Sequence, residues 1–185
     1  VQDAQRLDAL SRTEEILKQA REIAPLNTDH SANLARFYRS WASRATASEE
    51  KQALLREAET NYQQALLLSP NNPVLWNELA ILYAFDLQDQ AAYARTIEHS
   101  LALDPEFEET WSLSADVKAN IGNDLPGAIA DYQHVLELKP QQCTVRRVLA
   151  NLQLQEELWA DAVTLLEETT EICPTMTDLW DIYRM

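Results

Sequence analysis

Three histidines, two cysteines and several adjacent acidic pairs are the residues whose types could do chemistry. His30, His99 and His134 could ligate a metal, but their separations are too wide for a local site, and solvated or half-buried helix positions fit them better. Glu49-Glu50, Glu108-Glu109, Glu156-Glu157 and Glu167-Glu168 could pair as general acid and base. Neighbours on a helix point about 100° apart, so these pairs read as solvated faces. Cys143 and Cys173 form no CxxC pair, and the chain has no glycine-rich phosphate loop, no GxSxG elbow and no HExxH. The expectation is a stretch with no catalytic residue, no metal and no cofactor, not an enzyme in itself whatever the parent protein does.

The elements that carry these residues must be helices. Only Gly122 and Gly127 supply glycine in 185 residues, too few for hairpins, whereas Ala, Leu, Glu, Gln and Arg abound. Hydrophobic residues make up 46%, yet no apolar run approaches the roughly 20 residues needed to span a bilayer. The formal net charge of −15 would repel phosphate backbones and anionic lipid, so nucleic acid and direct membrane insertion are not expected. "VQDAQRLDAL" has neither an initiating Met nor a signal-peptide pattern, and Val1 is read as a cut end.

The strongest signal is a period. Pro70, Pro105, Pro140 and Pro174 are separated by 35, 35 and 34 residues. Trp76, Trp111 and Trp180 each lie six residues after a proline, and Ala80, Ala115 and Ala150 ten after; Ala58, Tyr93, Ala128 and Ala162 lie twelve before one. Apolar residues recur at steps of three and four, as in Trp76, Leu79, Ala80 and Tyr83, so each repeat reads as two amphipathic helices closed by a proline.

Trp76, Leu79, Ala80, Tyr83 and Pro105 resemble the tetratricopeptide repeat over most of the chain. The resemblance implies an all-α, right-handed α-solenoid of antiparallel helix pairs. Ala35, Ala80, Ala115 and Ala150 take the small-residue position where the two helices of a pair cross, in place of the family's commoner glycine. One array over 1–185 is expected: a partial repeat at 1–25, a long repeat at 26–70, repeats at 71–105, 106–140 and 141–174, and a truncated helix at 175–185. The long repeat should carry about one and a half extra turns on each helix. Thr46-x-x-Glu49 is a capping box that would start its second helix near Ala47. Arg146 stands where a Trp is expected, and the incomplete ends predict further repeats in the parent chain.

In this family the first helix of each pair lines a concave, peptide-binding groove. Carried over by position, that groove comprises Arg36 and Arg39, then Asn77, Ile81, Ala84 and Phe85. It continues through Glu109, Ser112, Asp116 and Asn120 to Arg147, Asn151 and Gln155. Basic ends and an acidic middle would favour an extended peptide of matching polarity. Tyr38, Trp76, Tyr83, Trp111 and Tyr132 fall at packing positions and read as core. The repeat assignment also puts Cys143 at the start of one helix and Cys173 at the end of its mate, close enough for a disulfide. Two buried, reduced thiols are the equal alternative.

The function expected is non-catalytic binding of a protein or peptide, with self-association as a further outcome. A second, narrower resemblance covers Pro25 to Ala42, which looks like repeat regions of bacterial O-antigen ligase or polymerase-like membrane proteins. It implies the alternative of an extramembrane accessory domain of a cell-envelope glycan enzyme. Location is left between the cytoplasmic and extracytoplasmic faces of a bacterial membrane.

Overall fold

The computed structural model describes residues 2–174, with side chains from residue 5. The truncated helix expected at 175–185, Trp180 included, lies outside the described residues. The chain divides into two compact units, Val1–Leu103 and Asp104–Met185. The first holds α1 (Gln2–Ile23), α2 (Thr28–Ala42), α3 (Ser48–Leu68), α4 (Pro73–Ile81) and α5 (Gln90–Leu103). The second holds α6 (Glu108–Val117), α7 (Leu125–Leu138), α8 (Cys143–Gln155) and α9 (Trp159–Ile172). The strongest packing is within the pairs α2 with α3, α4 with α5, α6 with α7 and α8 with α9. No helix among the described residues is long and apolar enough to cross a membrane.

The prolines set the helix ends, because the residue before a proline is pushed out of the α region. Helices α3, α5, α7 and α9 stop at Leu68, Leu103, Leu138 and Ile172, each two residues before a proline. Side chains start several of the others. Asn27 Oδ1 accepts from Asp29 N at 3.0 Å, and Asn72 Oδ1 from Val74 N at 3.0 Å with Pro73 entering the first turn. Asp124 caps α7 by accepting from Gly127 N at 3.0 Å. A Cβ on Gly127 would sit 2.1 Å from Asp124 Oδ2, so a larger residue there would push the capping side chain aside.

The six-residue step from proline to tryptophan has a direct physical reason. Trp76 Nε1 donates to the Pro70 carbonyl at 2.7 Å, and Trp111 Nε1 to that of Pro105 at 2.8 Å. Each indole, one turn into its helix, satisfies a carbonyl left over where the preceding helix ended. Arg146 does the same with Nε, 2.8 Å from the Pro140 carbonyl, so the third repeat keeps the bond with a different donor. Trp111→Phe is expected to cost about 1 kcal/mol, the net worth of one such bond, in urea denaturation. Arg146→Trp keeps a donor for that carbonyl.

The change in spacing from 35 to 34 residues is also explained. The repeats at 71–105 and 106–140 each end their first helix in a π-turn, at Leu82–Leu87 and Lys118–Gly122, whereas α8 has none. Each repeat then turns through one left-handed residue: Gln88 (φ 56°), Asn123 (φ 50°) and Glu157 (φ 58°). From that residue to the closing proline is 17 positions every time, but from the opening proline to it is 18, 18 and 17. The extra residue therefore lies in the first helix, where a single wide turn absorbs it. The closing bonds agree: Asp89 N reaches back six residues to Tyr83 O and Asp124 N six to Lys118 O, but Leu158 N only five to Gln153 O.

The long repeat corrects two expectations. Its α2 has 15 residues, no longer than α4 with its π-turn (9 and 6), while α3 has 21 against 14 for α5. The surplus goes into α3 and the turn 43–47, not into both helices. Seven residues are close to two full turns, so α3 lengthens without rotating its buried face, and Leu54, Leu55 and Ala58 continue the stripe of Tyr62, Ala65 and Leu66. The capping box is not formed. Ala47 is the N-cap residue and no side chain caps α3, so the helix begins where expected without the Thr46 bond.

Ala35, Ala80, Ala115 and Ala150 are fully buried, as a close crossing requires. Tyr38, Tyr83 and Tyr132 are core residues, with Trp76 and Trp111 half-buried. Tyr38 Oη donates to Glu14 at 2.7 Å and Tyr83 Oη to Glu59 at 2.8 Å, each pair 24 residues apart. Burial and the carboxylate partner push both phenols up to about 12 from 10.0. Burial raises Tyr62 and Tyr132 further. A raised folded-state value means that the stability these tyrosines contribute is complete below pH 10 and is lost as pH climbs through 12. Phenolate absorbance should rise together with loss of helical circular dichroism over that window. Full titration near pH 10 with the helices intact would contradict this.

Candidate functional site

In the first unit the groove positions fall on α2, α4 and the π-turn after α4. The Arg36 guanidinium grips Glu78 with two bonds, Nε to Oε2 at 2.9 Å and Nη2 to Oε1 at 2.8 Å, and also reaches Asn33 Oδ1 at 2.9 Å. Arg39 Nε meets Asp86 Oδ2 at 2.5 Å. Two ion pairs thus tie the first helix of one repeat to the first helix of the next. They leave this face with paired charges where the sequence suggested a bare basic end. Both pairs are partly solvent-exposed, so they fix geometry more than they add stability.

Between them Ile81 is half-buried and Phe85 is 43% exposed, presented by the π-turn. Ala84 is buried. Asn77 is buried as well and turns toward α5, where Ser100 Oγ lies 3.0 Å from its Oδ1. Asn77 therefore helps join α4 to α5.

In the second unit Glu109, Asp116, Asn120 and Gln155 are exposed, while Ser112, Arg147 and Asn151 are half-buried. Asp116 Oδ1 accepts from Tyr132 Oη at 2.5 Å, and Asn120 Nδ2 donates to the Asp116 carbonyl at 2.8 Å. Buried Asp131 accepts from Ser114 Oγ and Lys118 Nζ, both at 2.6 Å, which links α6 and its π-turn to α7.

The histidines at one repeat position have a packing role. His99 lies against Trp76 with ring centroids 4.2 Å apart, and His134 against Trp111 at 4.6 Å. In the third repeat the same two positions hold Arg146 and Glu168, joined at 3.2 Å. An aromatic contact has been exchanged for an ion pair at one place in the repeat. No group of three or more His, Cys, Asp or Glu among the described residues could hold a metal ion.

Cys143 and Cys173 are bonded, with Cα atoms 5.9 Å apart, so α8 and α9 are stapled at the open end of their hairpin. A cleft of about 660 Å³ runs between α3, α4 and α5, lined by Leu66, Leu67, Trp76, Tyr83, Arg95 and His99. Sequence reasoning did not assign this cleft. A signal was present in Leu66-Leu67-Leu68, since three consecutive apolar residues on a helix cannot all face one side; Leu67 is left 74% exposed.

Helix pairs closed by a proline, crossing at a buried alanine and turning at one left-handed residue, define this as a tetratricopeptide-repeat fold, an all-α solenoid. Similar solved structures include TTC0263, a thermophilic TPR protein of Thermus thermophilus, with 22% identity, a TM-score of 0.70, and coverage of 80% of this chain and 75% of that one. YrrB, described as a TPR protein with an unusual peptide-binding site, matches at 15% identity and a TM-score of 0.64 over 98% and 87% of the two chains. A human IFIT1 dimer with PPP-AAAA matches at 13% and 0.74, over 97% of this chain and 44% of that one. At such identities the likeness establishes the fold. No family model and no curated protein matches the sequence. The second resemblance, over Pro25 to Ala42, gains no support; that stretch is the turn before α2 and α2 itself.

Proposed function

We propose that the chain is a non-catalytic scaffold that binds a protein or peptide, and that the α2–α4 face of the first unit takes an extended peptide. The observation that supports this most is the set of side chains around Phe85: an exposed aromatic ring and half-buried Ile81, flanked by Arg36–Glu78 and Arg39–Asp86. An apolar anchor point between fixed polar groups is how a peptide groove combines affinity with register. The ion pairs hold the face in shape before a ligand arrives, so little ordering is required on this side. The net charge of −15 argues for a protein over a nucleic acid as partner.

The test is to select binders from a random peptide library and compare the chain with its Phe85→Ser variant. Binding should weaken about tenfold or more, the loss of an aromatic anchor, with the helical circular dichroism retained at room temperature because Phe85 is partly exposed. Equal affinity of the two proteins for every selected peptide would remove this face from consideration.

A further inference from the structure

We propose that the cleft between α3, α4 and α5 is a separate docking site, for a short peptide that presents apolar side chains next to a carboxylate. At about 660 Å³ the cleft is of the size that holds small ligands, and its walls are mainly apolar. The Trp76 ring is held at one edge by the Pro70 carbonyl and packs at a tilt against His99, centroids 4.2 Å apart, so an apolar wall is preset. Leu67 stands 74% exposed at the mouth, unused by the fold.

Charge selects the occupant. Arg95 lines the cleft, is exposed, and makes no ion pair among the described residues. On a chain of net charge −15, an unneutralised arginine beside an apolar wall is a place where an anionic group gains and a cationic one does not. The second unit shows what the same place looks like when it is otherwise occupied. A cleft of about 600 Å³ lies between α7, α8 and α9, with Gln133 and Leu149 matching Gln63 and Leu79. There Trp76, His99, Leu67 and Arg95 are replaced by Arg146, Glu168, Glu137 and Thr164, and the Arg146–Glu168 pair crosses it. The repeat generates the cleft, and of these two only the one in the first unit is lined by apolar groups with an unpaired cation.

Fluorescence anisotropy with labelled acetyl-Gly-Leu-Phe-Glu-Glu-Gly tests this, against one control with Lys for both Glu and another with Ser for Leu and Phe. The acidic, apolar peptide should bind about tenfold tighter than either control. Arg95→Glu should reverse the preference toward the Lys peptide, and Leu67→Asp should weaken binding about tenfold. Both sites are exposed, so circular dichroism should be unchanged. Phe85→Ser should leave this affinity as it was, which separates the cleft from the α2–α4 face. Absence of binding, equal binding of the three peptides, or a preference indifferent to Arg95→Glu would overturn the proposal. So would self-association that Leu67→Asp abolishes without peptide binding, which would assign the cleft to a second copy.

Discussion

Cys143→Ser is expected to lower the stability of the second unit by about 3–4 kcal/mol, and reduction of the wild-type bond should do the same. The bond joins residues 30 apart at the start of α8 and the end of α9. Closing a loop of that length removes about 12 cal/mol/K from the unfolded chain in the loop-entropy relation, close to 3.6 kcal/mol at room temperature. For a unit of this size the thermal midpoint should fall by about 10 °C or more. Urea denaturation with and without reductant measures it. Alkylation should add no label before reduction and two after. Identical midpoints in the two conditions would show that the staple contributes nothing.

Tyr62→Ala is expected to cost the first unit about 3–5 kcal/mol, the range for deleting a fully buried aromatic side chain. Tyr62 is 1% exposed and sits in the C-terminal half of α3, so the void it leaves is enclosed by packed helices. Tyr62→Phe keeps the ring and removes only the hydroxyl, and should cost about 1 kcal/mol. If both variants lost the same amount, the hydroxyl and not packing would be the source.

The periodic part of this structure was legible in the sequence because each repeat states it locally. Proline ends a helix, tryptophan six residues on returns to it, and alanine ten residues on allows the crossing; all three act within one turn or one hairpin. The face residues were legible by position but not by environment. Arg36 and Arg39 look free until Glu78 and Asp86, 42 and 47 residues later, come alongside, and no local pattern announces pairs at that distance. Asn77 fails for the same reason, since its partner Ser100 is on another helix. The length of α3 was misassigned because ten surplus residues can be divided in several ways, and only the two-turn extension keeps a continuous buried stripe.

The π-turns give the array a property of heredity. Because the stretch from the left-handed residue to the closing proline is 17 positions in all three of these repeats, their one-residue difference in the first helix does not reach the second helix. What it changes is the azimuth of the side chains beyond it, by about 100° per residue. Phe85 lies inside such a turn. A single-codon deletion just before it would swing the ring off its face while leaving the fold standing, and an insertion elsewhere could bring a new residue round. On the peptide-binding reading proposed above, recognition is therefore open to change by length alone, without any substitution on the face itself.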